Sequence, residues 1–406
     1  MLSSKFSKLP TQGPLANICK RTITMGTKQN ALPAAYYRGG TSRAVFFKQE
    51  DLPQDRKQWD SIFRGVIGSP DPYGRQLDGL GGGISSLSKI CVVGKSTHRD
   101  ADVDYTFVSL GIKNTDVDYS SNCGNMISAV GPFAVDAELF PLSEENADSA
   151  SVRIHNTNTG KIIHSSFPVV DGEAAATGDF SIDGVAGSAA RIQLDFINPA
   201  GSATGSLLPT GNPIDTIDGI SATCLDTANP CVFVRASDLG VEGDLTPDEI
   251  TAHPDLLSRL DSIRRQAGVK MGLAETLAAV PGSIPKICLV AAPLSSSTRD
   301  ASQNQTSANV DLLARALSVG QPHKAVPITV ALALAAAARV PNSTVADVVA
   351  GKNPVDDAGI TIGHASGNLL VGANFDDDGA LLFATVFRTA RRLFEGRIFW
   401  KNDSTT

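Results

Sequence analysis

Cys123 lies in Ser121-Asn122-Cys123-Gly124-Asn125-Met126, between two asparagines and a glycine, ahead of a run from Ile127 to Ala137 that is almost entirely small or apolar. That run reads as a buried helix with the thiol at its start. Backbone N–H groups at a helix start have no intrahelical partner, and the macrodipole adds about half a positive charge there. Such a place binds carboxylates and draws a cysteine pKa down from about 8.5 toward neutrality. Lys89 precedes Cys123 by 34 residues, in Ser86-Leu87-Ser88-Lys89-Ile90-Cys91-Val92-Val93. An amine among apolar strand residues is costly to bury charged, and a lysine shifted to about pH 7–8 is a competent base. A lysine whose ammonium snorkels to water fits the same pattern.

The elements that must position these residues occur twice. Ser283-Ile284-Pro285-Lys286-Ile287-Cys288-Leu289-Val290 echoes the Lys89 segment, and 37 residues after Lys286 comes His323, in Gly320-Gln321-Pro322-His323-Lys324-Ala325. A second small-apolar run follows, Val326 to Val340. An offset of about 200 residues points to a duplicated domain. His323 and Lys324, at the expected second helix start, are candidates for gripping carboxylates. A helix apolar on every side needs burial on every side, so the expected fold is α+β, with a sheet wrapped around one hydrophobic helix in each half. The expected division is a leader (1–30), an N-terminal domain (31–200) carrying Lys89 and Cys123, and a C-terminal domain (201–406) whose last strand packs back on the first. The Pro-, Gly-, Ser- and Thr-rich stretch 198–215 is the expected crossing.

Composition narrows the function. The 406 residues carry a formal charge of −7, which argues against a nucleic-acid partner. Six cysteines lack C-x-x-C spacing and fit a reducing compartment. The six histidines lack metal-ligand spacing, so no metal is expected. The longest apolar run is too short and too interrupted to span a bilayer. Residues 1–30 hold four lysines, one arginine and no acidic residue. This is compatible with a mitochondrial presequence or with a disordered leader on a cytoplasmic protein.

Three motifs are set aside. Gly79-Leu80-Gly81-Gly82-Gly83 lacks phosphate-loop spacing and instead lets backbone approach a ligand or the central helix. Ser86-Leu87-Ser88-Lys89 matches a bare S-x-x-K, but a strand follows it rather than a helix. Asp100-Ala101-Asp102-Val103-Asp104 lacks the glycine and glutamate of a calcium loop. Residues 51–67 and 247–266 read as helices. Tyr36 to Phe47 and 363–367 read as strand–turn–strand.

Taken together, Tyr37-Arg38-Gly39-Gly40-Thr41-Ser42-Arg43, Gly81 to Ser86, Ser88-Lys89, Asn122-Cys123-Gly124-Asn125, Leu208-Pro209-Thr210-Gly211, Asn229-Pro230, Pro322-His323-Lys324 and Gly363-His364-Ala365-Ser366-Gly367 resemble the PrpF family of 2-methylaconitate, methylitaconate and aconitate Δ-isomerases. The resemblance spans residues 35 to 400 and is nearest to a fungal aconitate Δ-isomerase. It implies a diaminopimelate-epimerase-like fold with the site between two pseudo-symmetric halves, no metal and no cofactor. It makes Lys89 and Cys123 the catalytic pair. Substrate contacts fall to Arg38, Thr41, Ser42, Arg43, Ser85, Ser86, Asn122, Gly124, Asn125, His323, Lys324, Ser366 and Gly367. The implied reaction shifts or cis/trans-isomerises the double bond of a di- or tricarboxylate, cis- to trans-aconitate first. An amino-acid racemase or a non-catalytic carboxylate binder are the readings from other classes. A homo-oligomer is compatible with all of them.

Overall fold

A computed structural model describes residues 29–120, 122–143, 147–293, 309–349 and 354–401. The leader falls outside them, as does Ser121. The first half comprises β1 (Asn30–Gly39), β2 (Ser42–Lys48), α1 (Trp59–Ile67), β3 (Lys89–Lys95), β4 (Val103–Leu110), β5 (Val117–Asp118), α2 (Gly124–Ile127), α3 (Val130–Asp136), β6 (Ser149–Asn156), β7 (Lys161–Val170), β8 (Glu173–Ala174) and β9 (Ile192–Ile197). The second comprises β10 (Asp215–Ile217), β11 (Ile220–Asp226), β12 (Pro230–Arg235), α4 (Pro247–Ala252), α5 (Leu256–Lys270), β13 (Lys286–Ala291), β14 (Leu312–Ser318), β15 (Gln321–Pro322), α6 (Ile328–Arg339), α7 (Thr344–Val349), β16 (Ile360–His364), β17 (Gly367–Phe375) and β18 (Leu381–Arg388). A last strand, β19 (Ala390–Trp400), follows.

The two halves repeat one pattern. β1–β2 is antiparallel, β2–β3 parallel, β3–β4 antiparallel, β4–β6 parallel, and β6–β7 and β7–β9 antiparallel. The second half repeats these pairings, in the same order and sense, through β11, β12, β13, β14, β16, β17 and β18. Two seams join the halves: β9 pairs with β18, and β19 returns to pair with β1 along its whole length. The chain crosses between β9 and β10 through residues 198–214, where the buried Asp226 carboxylate accepts from the N–H groups of Ala203 and Thr204, each at 2.8 Å.

Strand alternation decides what each face meets. β6 reads exposed and buried in turn, its even-numbered residues inward. On β3, Cys91 and Val93 pack with the central helices, while Ile90 and Val92 pack with α1, Trp59 and Trp400. Every residue of α6 from Val330 to Ala337 is buried, as are Val130 to Val135 of α3. At about 1.5–3 kcal/mol per buried leucine or valine, these helices anchor the fold.

Several boundaries differ from the sequence reading. The helix after Cys123 is two pieces, because Pro132 has no N–H to give Ser128 and its ring crowds that carbonyl. The helix expected over 51–67 begins only at Trp59, after Pro53. The one expected over 247–266 breaks at His253, which is extended (φ −68°, ψ 133°) ahead of Pro254. The glycine-rich turn closes on α1 rather than on a central helix. Leu80 and Gly81 donate to Val66 and Ile67 carbonyls at the end of α1.

Candidate active site

Cys123 is the N-cap residue of α2, half-buried, with extended φ and ψ. Its carbonyl accepts from Met126 and Ile127, and its side chain makes no capping bond and packs at the edge of the apolar core. Two asparagines on the β6–β7 turn place it. Asn158 donates to the Tyr119 carbonyl at 2.7 Å, and Asn156 donates to the Asn122 side chain at 2.9 Å. On the other side, Asn125 donates to Thr41 Oγ1 at 3.1 Å. Only glycine fits at positions 39 and 40 beneath it. A Cβ on Gly39 would stand 2.7 Å from the Asn125 carbonyl, and Gly40 holds φ +51° against the Asn125 side chain.

Lys89 opens β3 on the face of Cys91 and is buried, its Nζ 5.1 Å from the Phe107 ring centroid. Lys89 and Cys123 each lie near enough to the Cys91 thiol to act on it. Burial pushes that thiol well above its usual pKa, the nearby Cys123 pushes it further, and a bond to Tyr105 and the Lys89 charge oppose this. Cys91 itself is sealed, donating to Tyr105 at 3.9 Å, whereas Cys123 is half-buried. The lysine and the thiol therefore belong to one locale, brought together by strand alternation and a helix start.

The second half closes this locale. A Cβ on Gly124 would lie 2.6 Å from Ile328 Cδ1, so the starts of α2 and α6 abut. The cap of α6 is Pro327, so His323 and Lys324 stand in the segment before the helix rather than at its first turn. The second β-pair sets the count. β15 and β5 end the same number of residues before their helices, which makes Pro327 the counterpart of Cys123. The His323 ring keeps an exposed edge between crowded walls, and partial burial with the Lys286 charge holds its pKa down. The Lys324 carbonyl accepts from Ser366 Oγ at 2.9 Å and from His364. Next to them, Asp183 accepts from the Asn368 N–H, while Gly184 lies against Thr41. Contacts thus run from Ile328 through Gly124 and Asn125 to Thr41, and from Thr41 through Gly184 and Asp183 to Gly367 and Asn368, along a cleft where the halves meet.

Other expected residues are placed differently. The Arg38 guanidinium donates to the Gly40 carbonyl and to Thr389 O and Oγ1, all at 3.0 Å, so it braces the turn. Arg43 points to the face opposite Cys91, its guanidinium 5.7 Å from the Tyr36 ring. Ser42 is buried beneath the turn. Ser85 and Ser86 form a 3-10 turn just before Lys89. Gly367 takes φ +138°, with Asp183 packed against it. Among the described residues no group of His, Cys, Asp and Glu is disposed to hold a metal ion. Sequence reasoning did not single out Arg388, at the end of β18 near His364. Its only sequence signal is the β-alternation that puts it on the face of Ala384 and Val386.

The profile of the family described as "PrpF protein" matches residues 29–401. Over 378 residues the chain is 38% identical to a 3-methylitaconate isomerase of Eubacterium barkeri, covering 91% of this chain and 97% of that protein. It is 39% identical over 386 residues to a 2-methyl-aconitate isomerase of Cupriavidus necator, covering 91% and 96%. A crystal structure of a methylitaconate-delta-isomerase matches with a TM-score of 0.83 at 38% identity, covering 92% of this chain and 96% of that one.

Proposed function

The chain belongs to the PrpF family and is an isomerase, and on that premise we propose that it moves an allylic proton of aconitate, converting the cis isomer to the trans. The observation that supports this reading best is that Lys89 and Cys123 both lie near Cys91, with Cys123 capping α2 where the start of α6 packs against it. An amine and a thiol are the two groups that a proton removal and return require.

The steps follow from charge. Substrate carboxylates enter a cleft edged by the N–H groups of two helix starts and by Lys324. Neutralising them acidifies the CH2 beside the double bond, because the dienolate formed on proton loss is stabilised where its charge develops. One member of the Lys89–Cys123 pair takes that proton. The three-carbon anion then has no fixed double bond and can rotate. The other member, or a water, returns a proton to either end carbon, giving the trans isomer or the shifted double bond. 2-Methylaconitate and methylitaconate offer the same allylic hydrogen and are the alternative substrates, as the relatives' names suggest. A two-thiol racemase is disfavoured, since Pro327 and Ile328 occupy the α6 start and the described cysteines of the second half are buried in strands.

In deuterated buffer with cis-aconitate, proton NMR is expected to show trans-aconitate growing in with deuterium at the allylic carbons. Lys89→Ala lowers that rate by about 10³-fold, within the usual range for losing a general base. Unchanged exchange in Lys89→Ala, or wild-type enzyme inert on all three substrates, overturns the reading.

A further inference from the structure

Arg388 ends β18, the strand that seams the second half to the first. Its side chain lies on the face of Ala384 and Val386, which packs on the central helices. Its neighbour Thr389 fixes the place. The Thr389 carbonyl accepts from the Gly40 N–H at 3.0 Å, the turn that also carries Thr41. On the other side stands His364, whose pKa Arg388 helps to lower. Arg388 therefore lies next in sequence to the residue that holds the Gly40 turn, and near His364 in space.

Its bonding is unusual for a half-buried arginine. Nε is shut off from water and has no hydrogen-bond partner, and among the described residues the guanidinium's one acceptor is the Phe387 carbonyl at 3.4 Å. Among the described residues no carboxylate pairs with it, and burial alone draws its pKa down to about 10. Asp183 turns to the Asn368 N–H, and Arg315 to the Leu245, Ala314 and Gly363 carbonyls. A buried charge with no counter-ion is destabilising in the empty protein and persists where a ligand supplies the partner. Guanidinium is also the group best shaped to hold a carboxylate through two parallel bonds.

We propose that Arg388, lying near the Gly40 turn and His364 with no acid beside it, anchors one carboxylate of the substrate opposite the Lys89–Cys123 pair. This rests on the carboxylate-isomerase reading. It makes Arg388 the specificity group that demands a further carboxylate beyond those at the helix starts.

The test compares wild type, Arg388→Gln and Arg388→Lys. Arg388→Gln is expected to raise KM for aconitate by about 30-fold or more with a smaller change in kcat, and Arg388→Lys to recover part of it. Without ligand, Arg388→Gln melts at or above the wild-type temperature, because a lone buried charge is gone. A structural brace would instead lower it. Tricarballylate, an unreactive tricarboxylate, raises the wild-type melting temperature and leaves Arg388→Gln unmoved. Unchanged KM, or equal stabilisation of both proteins by tricarballylate, overturns the assignment. Arg388-dependent tricarballylate binding by an enzyme without isomerase activity would overturn the proposed reaction and leave the anchor standing.

Discussion

Cys123 and Lys89 could be read from sequence because each breaks a local pattern: a thiol among asparagines, and a lysine heading an apolar strand. Arg388 could not. In Phe387-Arg388-Thr389-Ala390-Arg391-Arg392 it is one of three arginines, and nothing local distinguishes a cleft guanidinium from a solvated edge. Two tests belong to this scale. Cys123→Ser keeps the size of the side chain but replaces the thiol with a far weaker acid, so turnover is expected to fall by about 10²-fold or more while tricarballylate still binds. Loss of binding together with turnover would mean that Cys123 positions substrate instead. His364 gives a pH signature. Burial first, and then the Arg315 and Arg388 charges, against Asp183 and the Lys324 carbonyl, hold its pKa at about 4, below the ordinary 6.5. The native ring is therefore neutral, and acid favours the unfolded chain. The His364 contribution is complete above pH 6.5 and is lost as pH falls toward 4, at most about 3 kcal/mol. Urea unfolding at pH 7 and pH 4.5 should show a smaller loss in His364→Gln than in wild type. Equal losses would contradict the assignment.

At the scale of elements, periodicity found most strands and both central helices, and prolines moved the helix ends. Pro132 divides the helix after Cys123, and Pro254 divides α4 from α5, although composition on either side is helical. A run of small apolar residues hid the first break, because burial there is uniform and leaves no face to interrupt. The same reasoning misplaced His323. The sequence aligns it with the helix start, but the short β15 pair uses Gln321 and Pro322 and delays the helix to Ile328. The β1–β2 turn packs tightly on α2. Gly39→Ala would set a methyl against the Asn125 carbonyl, a backbone atom that moves only with the helix start. A cost of about 1–3 kcal/mol is expected, with at least tenfold loss of turnover as Cys123 shifts. Thermal melting and kinetics read the two effects separately, and unchanged values in both would show the turn to be slack.

For the whole molecule, the repeated Ser/Lys strands signalled a doubled architecture, but no pattern in the sequence announces the β9–β18 seam. Its residues alternate as any strand does, and only the closing of both sheets pairs them. That seam and the β1–β19 ladder let a single apolar core draw on both halves, from Phe46 and Phe133 to Phe233 and Leu334. The halves are therefore expected to unfold together. Trp59 and Trp400, the chain's two tryptophans, both lie in the cluster around α1 in the first half, so their fluorescence reports that half while circular dichroism reports the entire sheet. The two urea curves should coincide, and separated midpoints would mean independent halves.

The β1–β19 ladder has a further consequence. Its rungs run from Gly39 opposite Ala390, under the cleft, to Asn30 opposite Trp400. At about 3.3 Å per residue, the far rung lies about 30 Å from the near one. Both ends of this ladder's far rung therefore lie on the side away from the Gly40 turn. With those ends adjacent, a short splice between them could give a circularly permuted enzyme, reopened at a surface loop, whose catalytic surroundings are untouched.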